Sequence, residues 1–80
     1  MKVTLLLFAG FRDALGDRIV LDLPTGSTVA QVRERLAADH ADQEGLLRVS
    51  RFARDVDFVP DDTELEDGVE LALIPPVSGG

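Results

Sequence analysis

Thr28-Val29-Ala30-Gln31-Val32-Arg33-Glu34-Arg35-Leu36-Ala37 is the stretch on which the fold turns. Val29, Val32 and Leu36 recur at helical spacing with Ala30 and Ala37 beside them, while Arg33, Glu34 and Arg35 are expected to face away. Thr28 with Gln31 three residues later has the pattern of a capping box, and Pro24-Thr25-Gly26-Ser27 breaks the chain just before it. The spacing predicts one main helix that ends near Asp39-His40.

Outward from this helix the pattern changes period. Toward the N terminus, residues 3–8 are apolar or β-branched at nearly every position, as in a strand buried on both faces or one with an open face reserved for a partner. Phe11 to Leu15, stopped by Gly16, reads as a single helical turn, and Ile19, Leu21 and Leu23 then alternate on one face of a second strand. So short a connection makes the two strands antiparallel neighbours. Toward the C terminus, residues 43–51 fit either a short helix or the start of a strand, and a third strand is expected somewhere within residues 49–59. A loop ending in Asp67-Gly68 follows, and then Val69, Leu71 and Leu73 alternate with Glu70, Ala72 and Ile74 in a last strand.

The order strand, strand, helix, strands places one main helix against one face of a mixed sheet of four to five strands. This is an α+β class, and the β-grasp, or ubiquitin-like, arrangement fits it. With the first and last strands side by side at the centre of that sheet, residues 3–8 are expected to be covered on both faces. Phe8, Phe58 and Ile74 are the large apolar residues expected on the outer face, although each is also a reasonable core residue. Residues 1–76 form the expected domain, and residues 77–80 a flexible functional tail.

Composition removes several classes of function. The 80 residues hold no cysteine, which excludes a disulfide framework, a thiolate zinc site and a cysteine nucleophile within the chain. The net charge of -7, from 15 acidic and 8 basic residues, argues against a nucleic-acid partner and favours encounter with basic protein surfaces. The apolar run at the N terminus is too short to span a bilayer and has no small-residue cleavage site after it, so a cytoplasmic protein without a membrane partner is expected. The acidic residues between Asp55 and Asp67 lack the glycine and glutamate positions of a calcium loop, and His40 has no ligand or catalytic companion at suitable spacing. No metal site is expected.

What remains is the C terminus. Pro75-Pro76 ends strand pairing and projects the following residues in an extended direction, and Val77-Ser78-Gly79-Gly80 then offers a narrow, side-chain-poor approach to a terminal carboxylate. Six residues from Pro75 to Gly80 span roughly 20 Å when extended, enough to enter a partner's active site. A terminal Gly-Gly alone occurs by chance in roughly one chain in 200 and carries little weight by itself. A carboxylate ionised at neutral pH is a poor electrophile until a leaving group is attached. Adenylation with ATP by another enzyme supplies that group, and attack by a sulfur nucleophile leaves a thiocarboxylate.

The ending Ile74-Pro75-Pro76-Val77-Ser78-Gly79-Gly80, preceded by Leu65-Glu66-Asp67-Gly68-Val69-Glu70, resembles the family of small, sulfur-carrier subunits of molybdopterin synthase. Phe8-Ala9 and Phe11-Arg12 resemble that family's first-strand ending, and length and element order agree along nearly the whole chain. Val69 stands where the family has Asp, Asp55 where it has Asn, and residues 48–57 match least.

The resemblance implies that an E1-like adenylyltransferase and a sulfur donor system convert Gly80 to the thiocarboxylate, with Gly79 giving access. The tail then enters the large subunit, in a heterotetramer with two copies of each, and gives sulfur to cyclic pyranopterin monophosphate to build the molybdopterin dithiolene. Phe8, Phe58, Ile74, Pro75, Pro76, Val77 and Ser78 would meet partners. The chain would bind no cofactor and catalyse nothing itself, the catalytic residues lying on the large subunit. Carriers of the same type for thiamine, thiolated tRNA or cysteine keep the same ending. So does a ubiquitin-like protein modifier, and a plain interaction module with an idle tail is the remaining alternative.

Overall fold

Alternation of apolar side chains builds the centre of the sheet. In the computed structural model, which describes residues 1–77, β1 (Lys2–Leu7) lies antiparallel to β2 (Arg18–Asp22) and parallel to β5 (Val69–Ile74). β3 (Arg51–Arg54) pairs with the other side of β5, and β4 (Asp57–Val59) pairs with β3, both antiparallel. The order β2-β1-β5-β3-β4 thus puts the first and last strands side by side inside a five-stranded mixed sheet. This is the β-grasp arrangement of the α+β class.

Three helices accompany the sheet. α1 (Ala9–Leu15) is longer than the single turn expected, because it begins directly after β1, and Gly16 closes it at φ 94°, with its N–H donated to the Arg12 carbonyl. α2 (Val29–Asp39) is the main helix and buries Val29, Val32 and Leu36. Its N-terminal donors are satisfied by its own cap and by the loop after β4. Thr28 N–H donates to Gln31 Oε1 at 2.7 Å, Val29 N–H to the Thr63 carbonyl at 3.1 Å, and Ala30 N–H to the Asp61 carbonyl at 2.9 Å. That loop is therefore pinned, and its Leu65 belongs to the core.

Residues 43–51, which fit either a short helix or the start of a strand, hold α3 (Glu44–Val49) after a 3-10 turn (Ala41–Gln43), and β3 begins at Arg51. The expected third strand is in fact a hairpin, β3 and β4, closed by Asp55-Val56 with Asp55 at φ 57°. Asp tolerates this left-handed backbone better than most residues.

Two expectations need correction. Arg33 does not face away from the protein. Its side chain is only one-fifth exposed, donates to the carbonyls of Leu47 and Ser50, pairs with Asp61 at 2.8 Å, and lies 5.0 Å from the centre of the Phe52 ring. It ties α2 to α3, β3 and the loop after β4. Nor is β1 covered on both faces. Val3, Leu5 and Leu7 are sealed in the core, whereas Thr4 and Leu6 remain partly exposed, because the three helices pack on only one side of the sheet.

Candidate functional site

The strand register decides which residues share the uncovered face. Phe58, Ala53, Ala72, Leu6 and Arg18 stand opposite one another from β4 to β2, so a single row crosses all five strands. A second row, nearer the exit of the tail, pairs Arg51 with Ile74. Leu7 pairs with Leu73 in the parallel register, so extension of that register puts Phe8 abreast of Ile74.

Phe8 is 42 % and Phe58 49 % exposed, large values for phenylalanines on a sheet, and Ile74 is partly buried. The structure places all three sequence candidates on the uncovered face, with Phe58 and Ile74 lining one cleft. Val49, Arg51, Pro75, Pro76 and Val77 complete its lining. At about 230 Å³ the cleft is smaller than the range in which drug-sized molecules bind. It suits side chains of a partner better than a metabolite.

β5 ends at Ile74, as the proline pair requires, since Pro75 and Pro76 have no N–H to extend the ladder. Pro75 is partly buried in the cleft, Pro76 is exposed, and Val77 is 94 % exposed. The chain thus leaves the sheet beside an apolar surface. Ser78, Gly79 and Gly80, the other candidates of the sequence reading, lie outside the described residues.

Sequence reasoning missed Arg51. Its guanidinium stacks 3.7 Å from the centre of the Phe58 ring, within cation–π distance. Nothing in linear order links Arg51 to Phe58 or Ile74, and only the hairpin brings them together. Leu6, Ala53 and Ala72 were missed for a related reason, being small or partly buried residues that matter through their shared row.

Among the described residues, no group of three or more His, Cys, Asp or Glu is placed to hold a metal ion, and no helix is long and apolar enough to cross a membrane.

Comparison with known proteins agrees with this geometry. The model of the ThiS family matches residues 5–80. The chain is 32 % identical to the molybdopterin synthase sulfur carrier subunit of Chlamydomonas reinhardtii over the full length of both. It is 30 % identical to the subunit of that name from Arabidopsis thaliana, over 100 % of this chain and 84 % of that one. Among solved structures, SAMP1 of Haloferax volcanii superposes with a TM-score of 0.83 at 26 % identity over all of both chains. By sequence and by fold, the chain belongs to the ThiS family, as a ubiquitin-like β-grasp protein related to the molybdopterin synthase sulfur carrier subunits.

Proposed function

We propose that the chain is the sulfur-carrier subunit of a molybdopterin synthase. The observation that carries this reading is full-length similarity to carriers of that name, in a chain whose last strand delivers a proline-led tail next to an exposed apolar surface. In this reading the Gly80 carboxylate attacks the α-phosphorus of ATP on an E1-like enzyme, and pyrophosphate leaves. A sulfur nucleophile from the donor system then displaces AMP, and the terminal oxygen is replaced by sulfur as the thiocarboxylate. The loaded tail enters the large subunit, which supplies the catalytic residues, and gives its sulfur to cyclic pyranopterin monophosphate on the way to the dithiolene.

The chain's own contribution is positioning. Phe8, Phe58, Ile74 and Pro75 to Val77 dock the partner, and Gly79 leaves room for the backbone in a narrow channel. It binds no cofactor, and ATP belongs to the activating enzyme. The complex with the large subunit holds two copies of each, and the cytoplasm is the compartment in which it works. Residues 1–76 act as the docking domain and residues 77–80 as the tail.

The test is to incubate the chain with its E1-like enzyme, ATP and a sulfur donor, and to weigh the intact protein. Exchange of one oxygen for sulfur is expected, followed by loss of that sulfur when large subunit and pyranopterin are added. An unchanged mass, or activity that survives deletion of Gly79-Gly80, would sink the reading. A second reading has support in the similarity to SAMP1, a small archaeal modifier protein. Isopeptide adducts on lysines of other proteins, formed under the same conditions, would favour it.

A further inference from the structure

The distribution of paired and unpaired cations around the sheet carries an inference beyond the carrier role, though it rests on that role for the partner's identity. The chain has eight Lys and Arg residues. Lys2, Arg33, Arg35 and Arg48 each lie within 4.0 Å of a carboxylate, at 3.0, 2.8, 2.8 and 2.9 Å. Arg12, Arg18, Arg51 and Arg54 have no such partner among the described residues. Two of these four, Arg18 and Arg51, belong to the uncovered face, and Arg54 lies at its edge. Arg18 is in register with Leu6, Arg51 with Ile74, and Arg54 lines a hollow with Leu6, Ala53 and Ala72.

A protein of net charge -7 has carboxylates in excess, yet among the described residues none lies within 4.0 Å of these arginines. At the β3-β4 turn, Asp55 and Glu70 line the same hollow as Arg54 and partly offset it. Near the tail exit, Asp61 lines a neighbouring hollow with Arg51, but its carboxylate is engaged by Arg33 at 2.8 Å. Among the described residues, Arg51 is the only charged one lining the cleft of Val49, Phe58, Ile74, Pro75, Pro76 and Val77.

We infer that Arg51 is a specificity-determining contact for the enzyme that activates the tail, and that this enzyme presents a carboxylate to it. Any protein that grips the last residues must sit over Pro75 to Val77, and therefore over this cleft. Docking there removes water from the guanidinium, and a buried charge without a counter-ion costs several kcal/mol. The ring of Phe58 restrains Arg51 on the face rather than letting it swing clear into solvent. An apolar patch with an acid opposite Arg51 is the complementary surface, even though long-range attraction would steer this acidic chain toward a partner of positive overall charge.

The experiment titrates the E1-like activating enzyme against the full chain and its variants, and follows thiocarboxylate formation in parallel by intact mass. Arg51→Gln is expected to weaken Kd by about tenfold, Arg51→Glu by on the order of a hundredfold, and Arg51→Lys by only about threefold, with the turnover rate at saturation unchanged. The Kd of Arg51→Gln should also depend less on salt than that of the unmodified chain, a change that loss of packing alone would not produce. Arg48→Gln, on α3, serves as the control and should bind normally. Equal binding by Arg51→Gln, or tighter binding by Arg51→Glu, would overturn the inference while leaving the carrier role intact. Binding that depends on Arg51 without any thiocarboxylate would overturn the carrier role alone, and an unmodified chain that does not bind at all would overturn both.

Discussion

Val3, Leu5 and Leu7 are sealed against the helices, while Thr4 and Leu6 on the same strand look out from an uncovered face. The same contrast separates Phe52, fully buried on β3, from Phe58, half exposed on β4. One face of the sheet holds the fold together, and the other is free to specialise. The division has an energetic basis, because each large apolar side chain removed from water stabilises the folded state by about 1.5–3 kcal/mol and an exposed one contributes little.

Replacing one phenylalanine from each face tests this division most strongly. Phe52→Ala should cost about 3–5 kcal/mol in a denaturant titration, the range for an aromatic truncated in a core, and in a chain this short that approaches the whole stability. Phe58→Ala should cost less than about 1 kcal/mol, since half of the side chain is already in water. Its effect should be on binding of the activating enzyme instead. Similar losses of stability at both positions would show that the uncovered face is structural as well.

A smaller effect is expected at Arg33, which is polar yet works on the covered side. Arg33→Met keeps an apolar stem beside Phe52 but removes the donors to the Leu47 and Ser50 carbonyls and to Asp61. A loss of about 2 kcal/mol is expected, mostly from carbonyls left without a donor. Asp61 is half exposed, so Asp61→Asn should cost no more than about 1 kcal/mol. If Asp61→Asn proves as damaging as Arg33→Met, the ion pair rather than the carbonyl contacts holds α3 and β3 to α2.

These residues also mark where sequence reading succeeds and where it stops. β1, β2, α2 and β5 are legible because each is long enough to repeat one period against one surface, and their order then fixes the β-grasp topology. Residues 41–59 are not, because a 3-10 turn, a short helix and two short strands divide them. Leu47 and Phe52 point into the core while Phe58 points out, so the summed pattern follows neither period. Arg33 was misread because helical spacing gives the direction of a Cα–Cβ bond and not the reach of a long side chain. At the site, Phe8, Phe58, Ile74 and the proline pair stand out one by one. Arg51 becomes visible only through its cross-strand pairing with Ile74 and its stacking on Phe58.

The smallest effect lies at the end of the sheet away from the tail, where β1 and β2 begin and end. Lys2 Nζ lies 3.0 Å from Asp22 Oδ2, and the N-terminal amine 3.5 Å from Asp22 Oδ1. The hydrogen bond and charge of Lys2, and then those of the N terminus, hold the Asp22 carboxyl below the ordinary carboxylate range. A carboxyl whose pKa is lower in the folded than in the unfolded chain stabilises the fold at pH above its unfolded value, and that contribution disappears as pH falls through the folded value. The unmodified chain should therefore melt slightly above Asp22→Asn at neutral pH, and the gap should close below about pH 4. Because the Asp22 side chain is about two-thirds exposed, the gap should also shrink in high salt. Melting temperatures of the two chains across pH 2–7 decide the point. A gap that stays constant with pH would mean that Asp22 contributes through its backbone position at the end of β2, and not through its charge.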